Sequence, residues 1–367
     1  MHIGTGVFFQ GGHGPSDAEV WRDGVALADR VEPLGFDSLW TAEHHFDDYV
    51  MSPSPTQFLT YMAGRTSRVK LGSMVMVVPW HDPVRLAEEI SVLDELSDGR
   101  LIAGFGRGLG IIEFDGFRLN MGESRRRFVE HTEAILQGLE TGEITYEGEL
   151  YRQPTVQIRP RVSRTFRGRV YASAVSPASS EIMARLGIGL LIIAQKPWET
   201  TFAEISRYRE RYLEINGTEP PRPVLANFTS IHSDPERALE LREAYGVEYA
   251  RSAVRHYDFG NPRIAEIPGY EYYAALRQNM DRHGPEVFAR FLAELQIFGT
   301  PEQVVEETLE RVRKLDAGAV INVFDMGGTP ADVAIRSMEL YAREVLPRLQ
   351  AEDTFRDVGY EPSPATV

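Results

Sequence analysis

The sequence predicts an α/β fold, a (β/α)8 TIM barrel with insertions after the fourth and seventh strands. Eight short apolar runs recur along the chain, and amphipathic patterns of helical period separate them. The runs are almost continuously apolar, which is typical of parallel strands that are covered on both faces. A doubly wound open sheet is the alternative, but it needs a G-x-G-x-x-G turn after its first strand, where this chain reads QGGHGP.

The predicted elements alternate in the order that a barrel requires. The predicted strands are residues 3–9, 38–42, 70–78, 101–106, 169–174, 189–194, 224–231 and 319–324. The predicted helices are residues 18–34, 83–96, 177–186, 200–215, 235–245, 301–315 and 330–346. Five of these helices have a short polar residue directly before a proline, so we expect these residues to cap them: Asp82, Ser176, Asp234, Thr300 and Thr329.

Two segments interrupt the repeat. Residues 145–160 alternate in polarity around a Glu147-Gly148 turn and predict a surface hairpin. Residues 257–285 are rich in Gly, Pro, Tyr and Asn, and their weak periodicity predicts an irregular insertion of the kind that forms lids. We expect residues 1–350 to form one domain and residues 351–367 to be a fraying tail.

Composition excludes several classes of protein. The 367 residues carry a net charge of −15, which argues against nonspecific nucleic-acid binding because phosphate contacts need clustered Lys and Arg. The chain has no cysteine, so disulfides, thiolate nucleophiles and Fe–S clusters are excluded. It shows no signal-peptide pattern and no apolar run of about 20 residues, so we expect a cytoplasmic protein without a membrane span.

The functional groups of a (β/α)8 barrel gather at the carboxyl ends of its strands. Glu43, His44 and His45 directly follow the second predicted strand, where a neutral imidazole could take or give a proton near pH 7. The alternative is a solvated loop with one packing histidine. We expect no metal site, because no further ligand stands at regular spacing.

Three other segments fit a phosphorylated ligand. The glycine-rich turn 104–110 contains Arg107, the helix predicted at 177–186 starts beside Ser176 and Ser179, and Arg125 lies near the start of another helix. Close backbone amides, helix-terminal hydroxyls and guanidinium groups are phosphate ligands. A tight turn, a plain cap and a solvated arginine face remain open as alternatives. No Walker lysine loop and no G-x-S-x-G elbow occurs.

The chain resembles the bacterial luciferase family over about residues 1–350. The resemblance rests on ordered segments: LGFDSLW at 34–40 leading to EHHF at 43–46, VKLG at 69–72, DPVR at 82–85, LDELSDGR at 93–100, GFGRG at 104–108 and YEGELY at 146–151. It implies a flavin-dependent monooxygenase that uses reduced FMN and O2, through a C4a-(hydro)peroxyflavin, to oxidise an aldehyde, a ketone or an electron-rich carbon. It also implies a flavin reductase partner and a homodimer.

The resemblance assigns roles to individual residues. His44 matches the family histidine that supports proton transfer, with Glu43 or His45 nearby. The flavin phosphate falls on Arg107, the amides of Gly108 and Leu109, Arg125, Ser176 and Ser179. The segment Ser73, Met74 and Val75 lies against the flavin ring and is expected to contain a non-proline cis peptide. Aromatic residues that could line the substrate side are Phe8, Trp80, Phe228 and Tyr273.

The chain also departs from the luciferases. A phosphate-side glutamate, a reactive cysteine and a tyrosine of that family appear here as Val175, Gly106 and Gly110. These changes bear more on light emission than on flavin use. Two alternatives therefore stay open, namely a deazaflavin (F420)-dependent oxidoreductase on the same barrel and a non-catalytic barrel that binds flavin or nothing. The sequence does not name the small-molecule substrate.

Overall fold

The computed structural model describes residues 1–12, 14–173 and 177–352. The described part contains twelve strands, which in chain order are β1 His2–Gly6, β2 Ser38–Thr41, β3 Lys70–Ser73, β4 Met76–Val77, β5 Leu101–Gly106, β6 Glu143–Glu147, β7 Arg152–Gln157, β8 Val170–Ser173, β9 Gly189–Ile193, β10 Val224–Ile231, β11 Ile297–Gly299 and β12 Ala319–Val323. All eight predicted strands are present at their predicted places.

Eight of these strands form a closed parallel barrel. The order around it is β1-β2-β3-β5-β8-β9-β10-β12, and β12 returns to pair with β1 from His2↔Ala319 to Gly6↔Val323. Strand β4 continues beyond β3 and pairs with β5, while β11 adds to the outside of β10. The predicted (β/α)8 fold is therefore confirmed, and all parallel ends point to one mouth.

Helices cover the outside of the barrel and its mouth. In chain order they are α1 Asp17–Ala28, α2 Pro55–Ala63, α3 Pro83–Leu96, α4 Ile111–Phe117, α5 Ser124–Thr141, α6 Pro177–Leu186, α7 Trp198–Asn216, α8 Pro235–Leu241, α9 Val247–His256, α10 Pro262–Glu266, α11 Tyr272–His283, α12 Pro285–Glu294, α13 Pro301–Leu315, α14 Ala331–Glu344 and α15 Leu346–Ala351. A π-helical turn at Arg242–Gly246 joins α8 to α9.

Proline-led helix starts follow the sequence prediction with one exception. Asp82, Asp234 and Thr300 accept backbone N–H groups of α3, α8 and α13, as capping residues should. The expectation for Thr329 is wrong. Helix α14 begins after Pro330 without a side-chain cap, and the Thr329 hydroxyl instead donates to the carbonyl of Met326. Ser176 lies outside the described residues.

Both insertions occur where the sequence predicts them. The first is the antiparallel hairpin of β6 and β7. The second lies between β10 and β11, but it is helical, so the expectation of irregular chain at 257–285 is wrong. Gly and Pro there separate short helices, since Pro262 and Pro285 occupy the first turns of α10 and α12. Because each helix is short, the helical period of apolar residues does not continue long enough to be recognised in the sequence.

Apolar burial holds these layers together. One cluster fills the interior of the barrel around Trp40 and Ile321, and a larger one lies between the strands and the outer helices. A third cluster, with Phe259 and Phe288 at its centre, fixes the helices of the second insertion over the mouth. Burial of each such side chain stabilises the fold by roughly 1.5–3 kcal/mol. Within the described ranges, no helix is both long and apolar enough to cross a membrane.

Candidate functional site

A deep cleft lies at the carboxyl end of the barrel, beneath the second insertion. It encloses about 1260 Å³ of empty space, part of it open to solvent, and ligand pockets usually have roughly 300–1,000 Å³. The aromatic residues Phe8, Trp80, Phe228 and Tyr273 line it, as expected. Most of the predicted site residues line it too: Glu43, His44, Met74, Val75, Arg107, Gly108, Leu109, Arg125 and Ser179.

Two predicted site residues lie outside the lining of the cleft, and a third cannot be located in the described structure. His45 lies behind the cleft wall, where its ring contacts those of Trp80 and Phe117. Ser73 is fully buried beneath the wall, where its hydroxyl donates to the carbonyl of Gly104 at 2.9 Å and accepts the amide of Gly104 at 2.8 Å. Ser176 falls outside the described residues. The structure thus brings together both ends of the predicted site, while His45 and Ser73 do not line the cleft.

The loop after β2 places His44 in the wall with both ring nitrogens engaged. Its Nδ1 lies 2.9 Å from Oε1 of Glu113, and its Nε2 lies 3.2 Å from the hydroxyl of Tyr257. Glu113 belongs to α4 and Tyr257 directly follows α9, so three distant segments meet at one imidazole. An imidazole held between a carboxylate and a hydroxyl is arranged for proton transfer.

Glu113 is a buried carboxylate that stays ionised. Its side chain is 0% exposed, its Oε1 also accepts the amide of His45 at 3.0 Å, and its Oε2 lies 3.5 Å from Nε2 of His256. Burial raises the pKa of Glu113, but the charges and hydrogen bonds of His44 and His256 outweigh burial and lower this pKa to about 2. Glu113 therefore accepts hydrogen bonds at neutral pH.

His256 lies between two carboxylates. Its side chain is 0% exposed, and its Nδ1 lies 2.6 Å from Oδ2 of Asp47. Burial lowers the pKa of His256, but the hydrogen bonds to Asp47 and Glu113 outweigh burial and raise the pKa to about 9. The ring is consequently an imidazolium at neutral pH, with a donor on each nitrogen.

Glu43 serves a different cluster from His44. Its Oε1 lies 2.7 Å from Nε2 of His81 and 3.2 Å from Nε2 of His45, and its Oε2 accepts the amide of Val77 at 2.7 Å. Burial raises the pKa of Glu43, but these hydrogen bonds hold it below its ordinary value. Glu43 thereby fixes the loops after the second and third barrel strands, and Glu113 occupies the place next to His44.

Two guanidinium groups converge at the other end of the cleft. Arg107 donates to the carbonyl of Gly269 at 2.9 Å and Arg125 donates to it at 3.3 Å. Arg107 also stacks 3.9 Å from the ring centre of Tyr270, whose hydroxyl donates to the carbonyl of Gly108. In the described structure, neither guanidinium forms an ion pair, and the buried Nε of Arg125 has no hydrogen-bond partner. This end is therefore suited to an anionic group.

Glycines permit the close packing of the wall between these ends. The peptide bond between Met74 and Val75 is cis, as expected. A Cβ added to Gly106 would lie 2.3 Å from Cγ2 of Val75, and one added to Gly110 would lie 2.4 Å from Oε2 of Glu113. Real Cβ atoms do not approach this closely, so both glycines have steric reasons that require no ligand.

Sequence reasoning missed the residues that surround His44. Glu113 and His256 are 69 and 212 positions away from it along the chain, and no spacing rule joins such residues. The usable signals were weak: Glu113 is a carboxylate on an otherwise apolar helical face, and His256 ends a helix that the periodicity did not reveal. Asp47 and Tyr270 carried no signal of their own.

The same cluster could also hold a metal ion. Ligand atoms of His44, Glu113 and His256 all lie within 4.8 Å of one another. The sequence predicts no metal site, because the adjacent His44 and His45 point in different directions and no partner stands at regular ligand spacing. Hydrogen bonds and ion pairs among these three residues explain their separations as well as a bound metal ion would.

The chain is similar to known proteins in both sequence and structure. The family model of luciferase-like monooxygenases matches residues 1–317. An uncharacterized protein from Sinorhizobium fredii is 36% identical over 345 residues, which cover 93% of this chain and 95% of that protein. The alkanal monooxygenase alpha chain of Aliivibrio fischeri is 27% identical and covers 88% of this chain and 91% of its own length. The crystal structure of the monooxygenase RslO1 from Streptomyces bottropensis superimposes with a TM-score of 0.75 at 26% identity, over 95% of this chain and 100% of that one.

Proposed function

The chain belongs to the luciferase-like monooxygenase family, and from this premise we propose that it is a flavin-dependent monooxygenase that uses reduced FMN and O2 to oxidise a small organic substrate. The observation that carries the proposal is the pairing within one cleft of a guanidinium end and a hydrogen-bonded histidine. The substrate class is an aldehyde, a ketone or an electron-rich carbon.

The donor set at the guanidinium end fits the phosphate of FMN. Arg107 and Arg125 supply two positive charges, and the unpartnered Nε–H of Arg125 needs an acceptor. Ser179 lies in the same wall, in the first turn of α6, and the N-terminus of a helix favours an anion. The amides of Gly108 and Leu109 complete the proposed phosphate site.

Bound reduced FMN supplies the electrons that activate O2, and the protein orients the reactants and excludes water. Met74 and Val75 form the wall on which the flavin ring lies in our proposal, and Phe8 and Phe228 line the same cleft. An apolar, aromatic lining keeps water from a reactive oxygen species. Protons therefore reach the bound reactants through the polar residues of the cleft and not through water.

His44 is the proposed acid–base residue. Its Nε2 can take a proton, and the ionised Glu113 stabilises the charged ring that results. Glu43 and His45 contribute through the shape of the loop, because Glu43 bonds His45 and His81 rather than His44. We further propose that a flavin reductase provides the reduced FMN and that the protein is a cytoplasmic homodimer.

Anaerobic titration tests the cofactor assignment directly. Reduced FMN and reduced F420 are added separately to the protein, and binding is followed by absorbance and calorimetry. We expect saturable binding of reduced FMN, followed after mixing with O2 by an absorbance transient that outlasts the oxidation of free reduced FMN. Binding of F420 alone, or immediate appearance of free oxidised FMN, would contradict the proposal.

A further inference from the structure

A continuous series of contacts runs from the protein surface to the cleft. It begins at Asp47, which is 27% exposed, passes through His256 and Glu113, which are both 0% exposed, and ends at His44 and Tyr257. The successive atom separations are 2.6, 3.5, 2.9 and 3.2 Å. Each contact joins side chains from different segments, so the series exists only in the folded chain.

Hydrogen-bond chemistry fixes where the protons lie in this series. An ionised carboxylate can only accept, so the proton between Glu113 and His44 belongs to Nδ1 of His44. A neutral imidazole with its proton on Nδ1 has a lone pair on Nε2, and the Tyr257 hydroxyl donates to that atom. His256 faces a carboxylate on each side, so both of its nitrogens carry protons. Nδ1 donates to Asp47, and Nε2 lies 3.5 Å from Oε2 of Glu113 in an ion-pair contact without a hydrogen bond.

We propose that Glu113 and His256 are positioning residues that hold His44 in one tautomer, with the proton on Nδ1 and the free lone pair of Nε2 on the Tyr257 hydroxyl. His256 acts through Glu113, because its positive charge keeps that buried carboxylate ionised. Tyr257 lines the cleft, so it can hand its hydroxyl proton to Nε2 of His44 while it takes one from a bound molecule. The role of this proton transfer in catalysis rests on the proposed function, whereas the assignment of the His44 tautomer does not depend on it.

Two buried tyrosines, Tyr49 and Tyr257, also face the series. Tyr49 stacks on His256 with ring centres 4.7 Å apart, and it lies 5.0 Å from the ring of His44. Burial raises the pKa of Tyr49 and of Tyr257 well above the ordinary value, so both remain protonated donors. The amide of His45 is the remaining donor to Glu113. The charges in contact with His44 are therefore the carboxylate of Glu113 and the imidazolium of His256, whose ring centre lies 4.7 Å from that of His44.

Nuclear magnetic resonance of histidine-labelled protein without flavin tests the tautomer. Long-range 1H–15N correlations distinguish a protonated ring nitrogen from an unprotonated one, and loss of signals in His44→Gln assigns the ring. We expect Nδ1 of wild-type His44 to be protonated and Nε2 to be free at pH 7. A proton on Nε2 would overturn the proposal, and this result requires no variant to fold beyond the one used for assignment.

Two variants then separate positioning from mere packing. Glu113→Gln replaces the carboxylate that accepts from Nδ1 of His44 with an amide that can also donate, so the fraction of His44 with its proton on Nδ1 at pH 7 should fall. His256→Gln removes the cation beside Glu113, which can then take up a proton and donate to Nδ1 of His44, so the same fraction should fall in this variant too. Glu294→Gln and His283→Gln, at exposed positions, are the matched controls and should match wild type. An equal fraction of Nδ1-protonated His44 in all five proteins would refute the assignment.

Kinetics and metal analysis complete the test. With reduced FMN, O2 and decanal as the probe, Glu113→Gln should lower the turnover number at least tenfold while leaving FMN affinity within twofold, and Glu113→Asp should restore part of the loss. Intact Nδ1 protonation with no FMN binding would reject the proposed function and retain the tautomer. Stoichiometric zinc that resists dialysis and abolishes the His44 and His256 ring signals would overturn the inference, because the nitrogens would then be metal ligands.

Discussion

At the scale of single residues, the guanidinium end of the cleft gives the sharpest prediction. Replacement of Arg107 with Ala removes a charged donor, and hydrogen bonds to charged groups contribute about 1.5–3 kcal/mol. We expect the dissociation constant of reduced FMN to rise by roughly 10- to 100-fold, measured by anaerobic titration. Arg126→Ala is the control, since Arg126 is an exposed neighbour of Arg125 that pairs with Glu149. Unchanged affinity in Arg107→Ala would remove the phosphate assignment.

Replacement of His44 should impair product formation without weakening the binding of reduced FMN. In His44→Ala the phosphate site is intact, so reduced FMN should bind with unchanged affinity. Product formed per reduced FMN consumed should fall at least tenfold, because general acid–base groups typically contribute 10²–10⁴-fold. The assay compares product yield with peroxide released, and exposed His283→Ala serves as the control. Normal coupled turnover in His44→Ala would end its catalytic assignment.

The residues that the sequence could and could not indicate differ in how they reach the site. Arg107 and His44 follow strands directly, and the barrel rule places such residues at the mouth without knowledge of packing. Glu113 and His256 reach the same point through the lengths and tilts of α4 and α9, which no local pattern determines. Residues that act through a neighbour therefore stayed hidden, whereas residues at strand ends did not.

At the scale of elements, close approach of β3 and β5 gives a stability prediction. A Cβ on Gly104 would lie 1.9 Å from the backbone oxygen of Ser73, and a backbone atom cannot move aside as a side chain can. Gly104→Ala should therefore lower the free energy of unfolding by about 1–3 kcal/mol or more, measured by urea denaturation. Gly260→Ala is the control, because nothing lies within 4 Å of a Cβ built there. Equal unfolding midpoints for the two variants would contradict this reading.

Elements were predictable where the hydrophobic pattern and a start signal coincide. Helices α3 and α13 have both a capping residue before proline and a regular apolar face, and their bounds were predicted without error. Helices α9 to α12 are short, and their buried faces contact each other as well as the barrel. Their periodicity is consequently broken every few residues, and this explains why the second insertion was predicted as irregular.

At the scale of the whole molecule, one ionic cluster joins the second insertion to the barrel. His256 at the end of α9 contacts Asp47 in the loop after β2 and Glu113 in α4. The contacts would be lost if the insertion moved away from the mouth. Closure of the cleft and the charge state of His256 are therefore linked, and pH should affect both.

The charge of His256 predicts how the stability of the whole chain varies with pH. Its pKa is raised from 6.5 to about 9, so its contribution is fully present below pH 6.5 and is lost as pH rises through about 9. One pKa unit corresponds to about 1.36 kcal/mol, so wild type should lose roughly 3 kcal/mol of unfolding free energy over this window from His256. Glu113 adds no slope there, since its lowered pKa acts only in acid, as pH falls from about 4.5 through about 2.

Urea denaturation at several pH values measures the loss. His256→Phe should be less stable than wild type at pH 6 and should lose less stability than wild type from pH 6.5 to 9, where the remaining loss comes from groups such as His81 and Asp325, whose pKa values are also raised. His283→Gln should follow wild type. An equally steep decline in His256→Phe would show that the cluster does not link the insertion to the barrel, because its titration would then contribute nothing to holding the two together.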